Sequence, residues 1–127
     1  MIRIRAGLVV LALTLGLTVV AASPAYAAWG GCNALPNRVC TYWDGGGNGA
    51  VYYYTGPVNT CIDIGEPWDE DISSVWNRFN HYRVQFWFTS DTCSTGLYAV
   101  VGPDTKKDYT NNMYLNDSFN SLKIVPV

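Results

Sequence analysis

The chain has 127 residues, with 8 basic and 10 acidic side chains and a formal net charge of −2. No basic stripe or Lys/Arg cluster exceeds Lys106-Lys107, which excludes nucleic acid as a partner on electrostatic grounds. About half of the residues are hydrophobic and aromatics make up 14%, a composition that can supply one buried core.

Residues 1–27 read as a secretory signal. A basic start, Arg3 and Arg5, precedes an apolar run from Ala6 to Val20 and a small-x-small site at Ala25-Tyr26-Ala27. The run is short for a bilayer span of about 20 residues. Cleavage would leave residues 28–127 as a single domain, free of the membrane and secreted to the extracellular space. Losing two of the 8 basic residues leaves 6 against 10 acidic, a net charge of −4, which favours solubility.

Four cysteines, Cys32, Cys40, Cys61 and Cys93, fall in the exported part. An even count in such a chain implies two disulfides. Four cysteines can pair in about three ways. The favoured pairing is Cys32–Cys40, closing a short terminal loop, with Cys61–Cys93 joining the two halves. Zinc is disfavoured because no C-x-x-C pair occurs.

In chain order, residues 28–36 form a loop with Gly30-Gly31 and Pro36-Asn37 as breakers. A strand is expected over 38–43, then a hairpin turn through Asp44-Gly45-Gly46-Gly47-Asn48-Gly49. No Gly-Lys-Ser/Thr or helical pattern follows, so this is not a phosphate loop. Strands are expected over 50–54, 59–64 and 73–76, with a connecting loop through Gly65-Glu66-Pro67-Trp68. Val84, Phe86 and Phe88 alternate with Arg83, Gln85 and Trp87, giving a half-buried strand. A polar turn over 89–96, a strand over 97–101, a polar stretch over 104–112 with Lys106-Lys107 as a solvated face, and a strand over 122–125 complete the chain.

One stretch recurs. Asp69-Glu70-Asp71-Ile72-Ser73-Ser74-Val75 is matched by Asn116-Asp117-Ser118-Phe119-Asn120-Ser121-Leu122, and each serine follows a glycine by 25 residues, Gly49 to Ser74 and Gly96 to Ser121. The equal spacing points to two copies of one unit, 28–80 and 81–127. Strands recurring about every ten residues, and no helical period, predict an all-β sandwich of two Greek keys with about eight short antiparallel strands. The expected assembly packs the two halves face to face as two sheets.

Enzyme readings are poor. His81 is the only histidine, and no G-x-S-x-G sequence accompanies it. The acids at 69–71 are neighbours on one turn and do not by themselves make the paired carboxylates of a glycosidase.

Tyr42 and Gly49, with Ser74 and Ser121, resemble the aromatic-to-glycine hairpins and later serines of βγ-crystallin Greek keys. Gly47 stands where that pattern has a second aromatic. The run from Cys32 to Val125 resembles peptidase inhibitor family I36 more closely, through Cys40-Thr41-Tyr42, Asp71 to Asn77, and Val84 through Cys93 to Gly96. The resemblance implies a secreted, monomeric inhibitor of an extracellular protease, a metalloprotease by the family's usual target, acting by loop insertion. The family type presents its loop beside a local disulfide in the second half, whereas this chain has only Cys93 there. Asp91, Thr92 and Ser94 are therefore loop candidates by position, set against an ordinary connecting turn.

The resemblance also implies a calcium motif of two Asn/Asp, two free positions, Ser/Thr and Ser. It nominates Asp69, Asp71, Ser73, Asn116 and Asp117 as ligands, with departures at Glu70 and Asn120 that point to weak binding or none. No cofactor is required. A calcium-binding or toxin-like secreted module without inhibitory activity is the alternative. Of the many aromatics, Trp87 is the single interaction candidate, because alternation places it opposite Val84 and Phe86, facing outward.

Overall fold

The computed structural model describes residues 28–88, 90–96 and 98–127; the expected signal segment lies outside them. Eight strands are present among the described residues: β1 (Val39–Asp44), β2 (Asn48–Tyr54), β3 (Cys61–Asp63), β4 (Ser74–Asn77), β5 (Tyr82–Trp87), β6 (Tyr98–Val101), β7 (Thr105–Asp108) and β8 (Ser121–Pro126). All pairings are antiparallel.

Each sheet has four strands, in the orders β2-β1-β4-β7 and β3-β8-β5-β6. The sheets are therefore not the two sequence halves. The third strand of each half crosses over: β3 pairs β8, and β7 pairs β4. The expectation of one half per sheet is corrected by this exchange, which ties the halves together by backbone hydrogen bonds as well as by packing.

The second correction is β7 itself. Residues 104–112 carry no apolar alternation, so they read as a polar stretch. Thr105–Asp108 nevertheless completes the sheet as an edge strand beside β4. Lys106 is exposed, yet its ammonium lies 4.1 Å from the Trp76 ring centre and 5.4 Å from that of Trp29, a cation–π arrangement.

Period-two alternation builds the core. Val84 and Phe86 of β5, Val39 of β1, Val75 of β4, and Leu122 and Ile124 of β8 meet between the sheets with Ile72, Phe119 and Val101. All nine are fully buried. Tyr109 joins them, and burial raises its phenol to about 12.

β1 is covered on its outer face too. Cys40 and Tyr42 point outward, into a second apolar cluster with Cys32 and Trp76, backed by Trp29, Val51 and Tyr53. The loop over 28–36 therefore lies across the outside of the first sheet, held by the Cys32–Cys40 disulfide. Arg78 fastens it further, donating to the carbonyls of Cys32 (3.3 Å) and Asn33 (2.8 Å) while lying 4.6 Å from the Trp76 ring centre. The second disulfide is Cys61–Cys93. Both bridges match the favoured pairing, and no free cysteine remains.

Candidate functional site

Antiparallel register places four connections at one end of the sandwich. The turn after β1 and the turn after β5 emerge there, with the loop from β3 to β4 and the loop from β7 to β8. The two long loops each cross from one sheet to the other, because of the β3/β7 exchange. They meet reciprocally: Glu70 N–H donates to Phe119 O (3.0 Å) and Asp117 N–H to Ile72 O (3.1 Å). Glu70 and Asp117 are 47 positions apart, as are Ser74 and Ser121. The recurring stretch is thus a structural duplicate.

The two matching serines each hold a hairpin turn. Ser74 is fully buried; its Oγ donates to Asp44 O (2.7 Å) and accepts from Gly47 N–H (2.9 Å). Ser121, equally buried, donates from its Oγ to Ser90 O. Each serine clamps the turn of its own half, and Gly49 and Gly96 both adopt positive φ.

The second turn is the better built for display. Ser90 is buried at its base, whereas Asp91, Thr92 and Ser94 are exposed. Ser90 Oγ accepts from Thr92 N–H (3.1 Å) and lies 2.9 Å from Thr92 Oγ1, which is 2.7 Å from Ser94 Oγ. Cys93, at φ 51°, is bonded to Cys61 on β3. A hydroxyl chain, a buried serine clamp and a disulfide therefore hold one short polar turn.

Trp87 departs from expectation. It does occupy the face opposite Val84 and Phe86, but it is only 7% exposed. Tyr98 sits directly across the β5–β6 ladder, with ring centroids 5.2 Å apart, and takes the solvent in its place at 52% exposure. Strand alternation predicts a face; a cross-strand aromatic decides who is covered on it.

The five nominated calcium ligands fall into two groups. Ser73 Oγ donates to Asp117 Oδ1 (2.8 Å), and Asn116 Nδ2 donates to Asp117 Oδ2 (2.9 Å). Asn116 Oδ1 is buried without a partner. Asp69 and Asp71 instead line a cleft of about 320 Å³ with Glu66, Pro67 and Glu70. Among the described residues no three His, Cys, Asp or Glu side chains gather closely enough to hold a metal ion. Ser73, Asn116 and Asp117 provide oxygen donors, fewer than the six to eight that calcium takes.

Two residues that sequence reasoning passed over matter at this end. Trp29, in the N-terminal loop, donates its backbone N–H to Gly47 O (2.8 Å), and its ring packs edge-on against Tyr42 at 5.3 Å. Asp108 accepts from Gly46 N–H (2.7 Å), Thr110 N–H (2.9 Å) and Thr110 Oγ1 (2.6 Å). The Thr110 hydroxyl, then the Thr110 and Gly46 amides, hold its carboxyl below the usual value. Neither carries a periodic signal: Trp29 acts across a long sequence separation, and Asp108 joins a local turn at Thr110 to the distant Gly46 amide.

Two four-stranded antiparallel sheets with exchanged third strands, and a serine clamp on each hairpin, define a βγ-crystallin-type Greek-key protein. Two solved structures share the fold. One comes from work on the evolution of the eye lens βγ-crystallin domain fold, with 18% identity and a TM-score of 0.59, covering 72% of this chain and 88% of that one. The other is a βγ-crystallin domain from Flavobacterium johnsoniae, with 17% identity and a TM-score of 0.52, covering 69% and 93%. No curated protein matches the chain. The model of peptidase inhibitor family I36 matches residues 25–101, more than half of the sequence, and the chain belongs to that family.

Proposed function

We propose that the chain is a secreted, monomeric inhibitor of an extracellular protease, a metalloprotease, which acts by seating the turn over 90–96 in the enzyme's active-site cleft. Family membership supports a protease partner and a non-enzymatic role. The single observation behind the loop is the Cys61–Cys93 bridge beneath exposed Asp91, Thr92 and Ser94. A turn held in one shape loses less entropy on binding than a free one. The two disulfides suit an oxidising, extracellular setting. The test is inhibition by refolded residues 28–127 of a panel of secreted metallo- and serine proteases. Inhibition of a metalloprotease that weakens on Thr92→Trp supports the reading. An intact, folded protein that inhibits none at micromolar concentration sinks it.

A second reading is cation binding at the same end of the sandwich. It is favoured by the unpartnered buried Asn116 Oδ1 beside the Ser73–Asp117 contact. Calcium there would draw on Ser73, Asn116 and Asp117 and fill its remaining coordination from backbone or water. It would cross-link the two long loops. Titration calorimetry decides: no heat and no rise in melting temperature at millimolar calcium excludes useful binding.

A further inference from the structure

The turn over 90–96 presents only small or polar side chains to solvent, Asp91, Thr92, Ser94 and Thr95. Such groups shape a contact but bury little area. The side chains that dominate protein–protein affinity are large ones that fill a pocket. The loop between β7 and β8, at the same end of the sandwich, carries two. Met113 is 83% exposed and Tyr114 76% exposed, the two highest values among the large hydrophobics described.

These two side chains project from a fixed turn. Asn112 Oδ1 accepts from Tyr114 N–H (3.0 Å) and Leu115 N–H (3.2 Å). Asn112 N–H donates to Tyr109 O (2.8 Å), and Asn112 O accepts from Asn116 N–H (2.9 Å). Tyr109 on one side and Leu115 on the other pack into the main core. The turn is thus pinned at both flanks while its tip is turned to water. Loop and turn also share an anchor, since the β7–β8 loop runs into Ser121, whose Oγ holds Ser90.

We infer that Met113 and Tyr114 form the apolar anchor of the inhibitory complex, and that the partner is a secreted protease with a pocket for a large apolar side chain. The inference rests on the protease-inhibitor reading and adds the specificity of the target. Pockets that accept Met or an aromatic are deep and apolar, and a cationic-specific pocket with a buried acid would reject both. The flanking polar residues Asn111, Asn112 and Asp117 are exposed and fit the wetter rim of such a contact.

The experiment compares wild type, the Met113→Ala/Tyr114→Ala double variant and Tyr114→Phe. Inhibition constants are measured against secreted proteases selective for large apolar residues and against one selective for Lys/Arg. Wild type is expected to favour the apolar-selective enzymes. The double variant is expected to weaken inhibition by about 30-fold or more with an unchanged melting temperature, because both side chains are exposed. Tyr114→Phe keeps the ring and is expected to retain inhibition. If wild type inhibits and the double variant inhibits equally, the anchor is overturned while the inhibitor reading stands. Preference for the Lys/Arg-selective enzyme overturns the stated pocket. If wild type inhibits nothing, both ideas fall. Sedimentation of the same proteins covers the remaining occupant: a dimer that the double variant dissolves would assign the pair to self-association and overturn the proposal.

Discussion

Trp29 lies against Gly47. Its backbone N–H donates to the Gly47 carbonyl at 2.8 Å, and a Cβ added at Gly47 would run into the indole ring. Gly47 stands where the Greek-key pattern has an aromatic, and the ring that packs on Tyr42 comes instead from the N-terminal loop. The Cys32–Cys40 disulfide keeps that loop in place. The departure from the pattern and the first disulfide are therefore one feature: the chain moves an aromatic from the hairpin to a stapled extension.

Gly47→Ala is expected to lower stability by about 2 kcal/mol or more. Gly47 has φ 73°, which costs a side-chain-bearing residue roughly 1 kcal/mol, and displacing the Trp29 ring adds an overpacking cost. Thermal unfolding measures it. A melting temperature unchanged within error would mean that Trp29 is not seated on the turn.

The two disulfides should differ in weight. The chain-entropy relation gives about 2.5 kcal/mol for the Cys32–Cys40 separation of 8 and nearer 4 kcal/mol for the Cys61–Cys93 separation of 32. Paired Cys→Ser variants tested in denaturant should rank in that order. On the proposed function, loss of the second bridge should also weaken inhibition beyond its effect on folding, because it frees the turn over 90–96.

Ser74→Ala and Ser121→Ala should each cost about 1–3 kcal/mol. Ser74→Ala leaves Asp44 O and the buried Gly47 N–H without their partner. Ser74→Thr keeps the hydroxyl and crowds the site, so it should fall between wild type and alanine. Equal stability of alanine and wild type in urea would remove the clamp.

Asp108 links stability to pH. Its carboxyl is held below the ordinary value by the Thr110 hydroxyl and then by the Thr110 and Gly46 amides. A carboxylate whose pKa falls on folding stabilises the fold above its unfolded value, near 3.8, and loses that contribution as pH drops through the lower folded value. Asp108→Ala should therefore be less stable than wild type at pH 6, with the gap closing below pH 3.8. A gap that stays constant down to pH 2 would show that charge plays no part.

Much of this architecture is legible in the residues. The 25-residue spacing from Gly49 to Ser74 and from Gly96 to Ser121 locates both clamps, and alternation in Tyr82–Trp87 places Val84 and Phe86 in the core. Those signals are local, since a turn glycine, a capping hydroxyl and a period of two each act within a few residues. The candidate site is less legible. Asp91, Thr92 and Ser94 could be nominated by position, but the network holding them requires Ser121 and Cys61, about 30 residues away on either side.

By itself the sequence determined an all-β chain of two similar units with Ser74 and Ser121 at matching points, because these follow from spacing and residue chemistry; it only favoured a cysteine pairing, which the closed sandwich fixes as Cys32–Cys40 and Cys61–Cys93. Tertiary structure alone decided that β3 and β7 change sheets, since an edge strand is recruited by the open hydrogen bonds of its neighbour and needs no apolar pattern of its own. It likewise decided that Tyr98 covers Trp87, that Trp29 replaces the missing hairpin aromatic, and that Met113 and Tyr114 are left facing water. Each of these depends on which distant surface is already occupied, and that is settled only when the two sheets close.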